Sequence, residues 1–184
     1  WATITFMKLK TLLLTLFLST SLIGTTYADF QAGADAFGKG DYKTAFKEFR
    51  LSAQQGDASA QFFIGWMYAN GKGVLKNDNA AVEWIRKAAE QGYADAQTSL
   101  GVKYFNGEGV LTDYKEAIKW FSKAANQEDA KAQLKLGIAY AIGTGVQKDL
   151  NKAKYWAEKA YENGKPEVSE QATMLWDAFE LWKY

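Results

Sequence analysis

The chain has 184 residues, 48% of them hydrophobic and 15% aromatic, enough for one domain with a substantial core and too apolar for a disordered chain. A formal net charge of +1 gives no bulk attraction to nucleic acid or to an anionic membrane. The absence of His and Cys removes the commonest general base, thiolate nucleophiles, disulfides and most zinc sites, and a single Pro suits near-continuous helix.

In chain order, Met7 reads as the initiator and residues 1–6 as a translated upstream segment. Met7-Lys8-Leu9-Lys10 is a basic start, Thr11–Ile23 is an apolar run, and Thr26-Tyr27-Ala28 supplies small residues where a signal peptidase reads. Residues 1–28 therefore read as a secretory signal peptide cleaved after Ala28. The run is shorter than the ~20 residues a membrane span needs, so no stable membrane insertion is expected after cleavage. Loss of Lys8 and Lys10 leaves 20 basic against 21 acidic residues, a net charge of −1. Without Cys a lipoprotein anchor is excluded, and a bacterial periplasm or secretion is the expected destination.

Residues 29–57 form a first, atypical unit. Phe30–Phe37 leads through Gly38-Lys39-Gly40-Asp41 into a helix over Tyr42–Gln55, with Asp41 as N-cap, Ala45, Phe46, Phe49 and Ala53 as its apolar face, and Gly56 as its left-handed close.

Three copies of a 36-residue unit follow, at 58–93, 94–129 and 130–165, with twelve columns identical in all three. The first half of each unit carries Ala60/Ala96/Ala132, Gln61/Gln97/Gln133, Gly65/Gly101/Gly137 and Tyr68/Tyr104/Tyr140. A Gly-x-Gly-Val turn begins at Gly71, Gly107 and Gly143. The second half carries Ala81/Ala117/Ala153, Trp84/Trp120/Trp156, Lys87/Lys123/Lys159 and Ala88/Ala124/Ala160. In the middle copy the spacing predicts a helix over Ala94–Asn106 with Ala96, Leu100 and Tyr104 on one stripe. Gly101 is expected to admit a close partner helix. Asp113 should cap a second helix in a capping box with Glu116, as Asn77 and Asp149 cap theirs. Ala117, Trp120 and Ala124 are expected to face the first helix. The column of Gly56, Gly92 and Gly164 holds Glu128 in the middle copy, which predicts strain or a different turn there.

Residues 166–184 read as a capping helix opened by Pro166, with Val168, Ala172, Leu175, Phe179 and Trp182 along the buried face. A sharper alternative makes Met174, Leu181 and Trp182 a docking edge.

Chemistry finds little material. The acidic residues fall mainly at caps and exposed positions with no recurring close pair. Gly-x-Gly-Val lacks the Gly-Lys-Ser/Thr ending of a phosphate loop and follows no strand. The aromatic stripes lack the interleaved basic residues that track a nucleic-acid backbone. The chain reads as a non-enzyme with no cofactor, no metal and no nucleic-acid partner.

The string A-x-A-Q-x-x-[IL]-G-x-x-Y-x-x-G-x-G-V, followed by a cap residue and A-x-x-W-x-x-K-A, resembles the Sel-1-like repeat, a relative of the tetratricopeptide repeat. The Gly38–Tyr42 turn is similar to the shorter tetratricopeptide turn. The resemblance implies an all-α, right-handed solenoid of helix–turn–helix repeats with capping helices at both ends. Family members are mostly adaptors, which implies a protein or peptide partner. In family geometry the inner curve would be lined by the first-helix face opposite the core. That face holds Ser59, Phe62, Trp66 and Ala69, then Asp95, Thr98, Val102 and Phe105, then Lys131, Leu134, Ile138 and Ala141. It is polar at its start and apolar at its centre, as a peptide-receiving groove is. Phe62, Trp66, Asp95, Val102, Phe105, Lys131, Leu134 and Ile138 are the candidate contacts, with Trp66 and Phe105 as anchors; packing against the neighbouring repeat is the competing role for the same side chains. The resemblance also admits a periplasmic immunity protein that neutralises a lipase-type effector. A penicillin-hydrolysing or peptidoglycan-linked enzyme, as in cysteine-rich relatives, loses ground with the cysteines.

Overall fold

Six helices begin on an Asp or Asn whose side chain accepts from a backbone amide three residues on: Asp41, Asp57, Asn77, Asp113, Asp129 and Asp149. Each cap satisfies one of the amides that a helix start leaves orphaned. The computed structural model describes residues 30–184, and the expected signal segment lies outside them. The described chain is all helix: α1 over 30–38, α2 Tyr42–Gln54, α3 Ala58–Asn70, α4 Asp78–Glu90, α5 Ala94–Asn106, α6 Tyr114–Ala125, α7 Ala130–Ile142, α8 Leu150–Asn163, α9 Pro166–Ala178 and a 3₁₀ turn Leu181–Lys183. The main helix contacts run between sequence neighbours, joined by α7 with α9 and by the 3₁₀ turn with α8 and α9. This is the one-dimensional stacking of a solenoid.

Within a repeat, the two helices meet over the glycine column. A Cβ built on Gly65 would lie 2.5 Å from Ile85 Cγ1 and 3.0 Å from the Ala81 carbonyl; one on Gly101 would lie 2.5 Å from the Phe121 ring. At these two positions a methyl group does not fit without displacing a neighbour. The second glycine of each turn serves a different contact, because Gly109 lies at φ +73° and its Cβ would stand 2.3 Å from the Asp78 carbonyl of the preceding repeat. Turn and neighbour are thereby locked backbone to backbone.

Between repeats, two columns do the joining. Gln61, Gln97 and Gln133 are buried, and each donates its side-chain amide to a carbonyl eight residues back, Ala53, Ala89 and Ala125 respectively. Each also accepts, through Oε1, from Gln91, Gln127 or Asn163 at the end of the following helix. The tryptophans bridge in the same direction. Trp120, 4% exposed, packs in one cluster with Leu100 of its own first helix and with Val82, Ile85, Ala88 and Ala89 of α4. It therefore does more than face α5 as the sequence predicts. Trp84 and Trp156 sit half-buried against the corresponding clusters one repeat before and after. The tyrosine column fills the same seams, with the Tyr104 hydroxyl accepting from Arg86 Nη1 at 2.8 Å, Tyr68 edge-on to Phe46, and Tyr140 packed against the C-terminal cluster.

The structure decides four local expectations, three of them as corrections. The capping box at α6 is half made: Asp113 accepts from the Glu116 amide, but the Asp113 amide goes to the Tyr104 carbonyl and the Glu116 carboxylate to Lys119. Gly164 is extended at φ −80° rather than left-handed, because α8 runs one residue further toward Pro166 than α2 and α4 do in register. Glu128 does take the glycine conformation, at φ +64°, so the strain alternative holds. At the C-terminus the buried residue is Leu181, fully covered, while Trp182 is 53% exposed; Glu180 at φ +49° turns the chain after α9 and exchanges their sides. Leu181 is thus core and forms no docking edge.

Candidate functional site: the inner groove

The first helices α3, α5 and α7 line a groove of about 570 Å³ that runs along three repeats and ends against α9. Phe62, Trp66, Val102, Lys131 and Leu134 all line it. Helix α3 explains the apolar end. Its sequence ASAQFFIGWMYAN is apolar almost all round, which a helix tolerates when every side is covered. Its buried side packs Ala60, Ile64 and Met67 against α2, while Phe62 and Trp66 are left half-buried on the groove side. Their rings are held, not loose: Trp66 meets Phe37 edge-on at 5.2 Å, and Phe62 lies 5.4 Å from the Tyr93 ring. Burial, then the charge of neighbouring Asp95, holds the Tyr93 phenol above its ordinary pKa of 10.0, so the ring supporting Phe62 stays neutral.

The other candidate residues are divided. Leu134 lines the groove but is only 4% exposed, because Val168 and Leu175 of α9 pack with it. Phe105 and Ile138 line a second hollow of about 190 Å³ together with Val102. Phe105 is half-buried with its ring against Tyr114 at 5.1 Å. Asp95 is exposed in the first turn of α5 and lines neither hollow.

Sequence reasoning missed the charged floor of the groove. Lys103 is buried, 9% exposed, with its ammonium 2.7 Å from Glu108 and 3.8 Å from Asp78; Asp78 in turn lies 3.4 Å from Lys76. This alternating chain ties the turn of the second repeat to the start of α4 in the first. The hydrogen bonds from Lys103 and Asn106 hold the Glu108 carboxyl below its ordinary pKa of 4.5. A signal was available, since the column of Met67 and Ala139 holds Lys103 between two apolar residues. Lys135, Glu167 and Gln171 also line the groove and were not singled out. Among the described residues no group of three or more His, Cys, Asp or Glu gathers as for a metal, and no helix is long and apolar enough to cross a membrane.

A stacked helical solenoid with one continuous inner groove is the class this geometry defines. The chain belongs to the Sel1 repeat family, whose model matches residues 58–93, 94–129 and 130–165. Proteins of this family are typically interaction scaffolds. Among solved structures, a Sel1 repeat protein from Oxalobacter formigenes is 36% identical, with a TM-score of 0.74 over 80% of this chain and 61% of that one. A protective antigen present in uropathogenic Escherichia coli strains, with an SLR fold, is 34% identical, with a TM-score of 0.77 over 90% of this chain and 36% of that one. The chain thus spans less than two thirds of both. Helicobacter pylori cysteine-rich protein B, 24% identical with a TM-score of 0.57 over 70% of this chain and 95% of that one, shares the fold. A search of curated proteins gives no match.

Proposed function

We propose that this chain is an exported, non-catalytic adaptor that grips a protein or peptide partner in its inner groove. The observation that carries the reading is α3: a helix apolar almost all round, packed on its other sides, yet leaving Phe62 and Trp66 half-covered at the groove. Half-covered aromatics held by their neighbours offer large contact area with little ordering cost, the property of binding hot spots. Export rests on the basic, apolar and small-residue succession of residues 7–28. It would be checked by fractionation and by N-terminal sequencing, which should find a mature chain starting at Asp29.

A photo-crosslinking residue at Ser99, in the groove, or at Glu83, exposed on the outer helix α4, tests the docking face in living cells. Adducts to a defined partner should form from Ser99 and not from Glu83, and Trp66→Ala should weaken them while helical content is retained. Adducts from Glu83 alone, or adducts indifferent to Trp66→Ala, would overturn the groove as the binding face. A single tight one-to-one adduct with a co-encoded toxin would specify an immunity role.

A further inference from the structure

Resting on the groove as a binding face, the charges that line it say what kind of segment it takes. Lys76, Asp78, Lys103 and Glu108 are spent on one another, with N–O distances of 3.4, 3.8 and 2.7 Å in series. Lys131 and Lys135 are different. Both are exposed, both line the groove, and neither forms an ion pair among the described residues. They stand four residues apart on α7, so they share one face and repel each other. The remaining acidic lining residue is Glu167, in the first turn of α9, where the helix N-terminus already favours a negative charge. Two ammoniums against one carboxylate leave this end of the groove cationic, while the far end presents the Phe62 and Trp66 rings above charges that are already paired with one another.

We infer that the groove takes a peptide segment carrying a bulky apolar side chain for the Phe62–Trp66 end and carboxylates for Lys131 and Lys135. Opposite charge would relieve the lysine–lysine repulsion and fix the direction in which the segment lies. A nucleic acid fits less well, because Asp78, Glu108 and Glu167 along the same groove repel a continuous polyanion.

The test is a selection of random 12-residue displayed peptides against the full chain, followed by fluorescence anisotropy with the labelled winners. The comparison proteins are Trp66→Ala and the exposed-site double variant Lys131→Glu/Lys135→Glu. The expected winners combine an aromatic or branched aliphatic residue with two or more Asp or Glu, and weaken as salt rises. They should bind the double variant about tenfold or more weaker, and lysine-for-acid versions of the same peptides should recover binding to it. Peptides that need Trp66 but ignore the charge reversal would overturn the acidic assignment and leave the groove reading standing. Peptides indifferent to both changes, a failure to select any, or preferential binding of a labelled oligonucleotide would overturn both.

Discussion

The glycine column at the helix crossings makes a graded prediction. Replacing Gly by Ala in a helix interior gains about 1 kcal/mol from helix propensity, so any destabilisation must come from the added methyl group. At Gly101 the methyl would lie 2.5 and 2.6 Å from two Phe121 ring carbons and 3.2 Å from the Ala117 carbonyl; at Gly65 it would meet Ile85 at 2.5 Å and backbone at 3.0 and 3.1 Å. Backbone cannot move aside without parting the two helices, so the upper end of the ~1–3 kcal/mol overpacking range applies. The net expectation is about 2 kcal/mol lost at either site. At Gly137 the close atom is Leu175 Cδ2 at 3.0 Å, the end of a flexible side chain, and backbone stands off at 3.4 Å. There the propensity gain should equal or exceed the cost. Since 1 kcal/mol moves the midpoint of a domain this size by about 2–4 °C, Gly65→Ala and Gly101→Ala should each lower Tm by about 4–8 °C. Gly137→Ala should leave it unchanged or raise it by up to about 4 °C. Circular dichroism melts of the purified variants measure this, and Phe121→Leu combined with Gly101→Ala should recover part of the loss. Equal damage at all three sites, or none at Gly101, would refute the reasoning.

Glu128→Gly should stabilise the protein by about 0.5–1 kcal/mol in urea unfolding, because glycine adopts φ +64° without the Cβ clash and forfeits only part of that gain as extra freedom when unfolded. Gln97→Ala removes a donor to the Ala89 carbonyl and the acceptor of the Gln127 amide, so it should cost about 2 kcal/mol in the same assay, more than Gln127→Ala, whose side chain is exposed. For Glu108 the folded carboxyl has the depressed pKa, so the stabilisation it supplies is present above its ordinary value of 4.5 and lost as pH falls through the lower folded value. The Tm difference between the native chain and Glu108→Gln should therefore be level at neutral pH and shrink as pH drops below 4.5; a difference that grows on acidification would reverse the sign. Glu108 is half-exposed, so the effect should be small and weaken with added salt.

Much of the repeat was legible because each unit solves the same local problem. Twelve recurring columns announced helix, turn and helix, and α5 runs from Ala94 to Asn106 as its periodicity predicts. The caps Asp41, Asn77, Asp113 and Asp149 were readable for the same reason, since a cap needs only its own next turn, whereas Asp57 and Asp129 were not singled out. Glu128 stood out as an outlier among glycines before any backbone angle was known. The groove was half legible: the face carrying Phe62, Trp66, Val102, Lys131 and Leu134 was readable as one stripe, but Asp95, Phe105 and Ile138 lie off the main hollow.

By itself, then, the chain's periodic pattern determined the helical units and their caps, along with the small residues that let paired helices close. Tertiary structure alone decided what each unit does to its neighbour. It joined the glutamine column into bridges between repeats and carried Trp120 across to α4. It laid α9 over Leu134, and it gathered Lys103, Glu108 and Asp78 from separate segments into one ion chain. The physical reason is range. Backbone angles, capping and helical faces are fixed by residues within a turn or two, whereas burial and charge pairing depend on which surfaces the superhelix brings together.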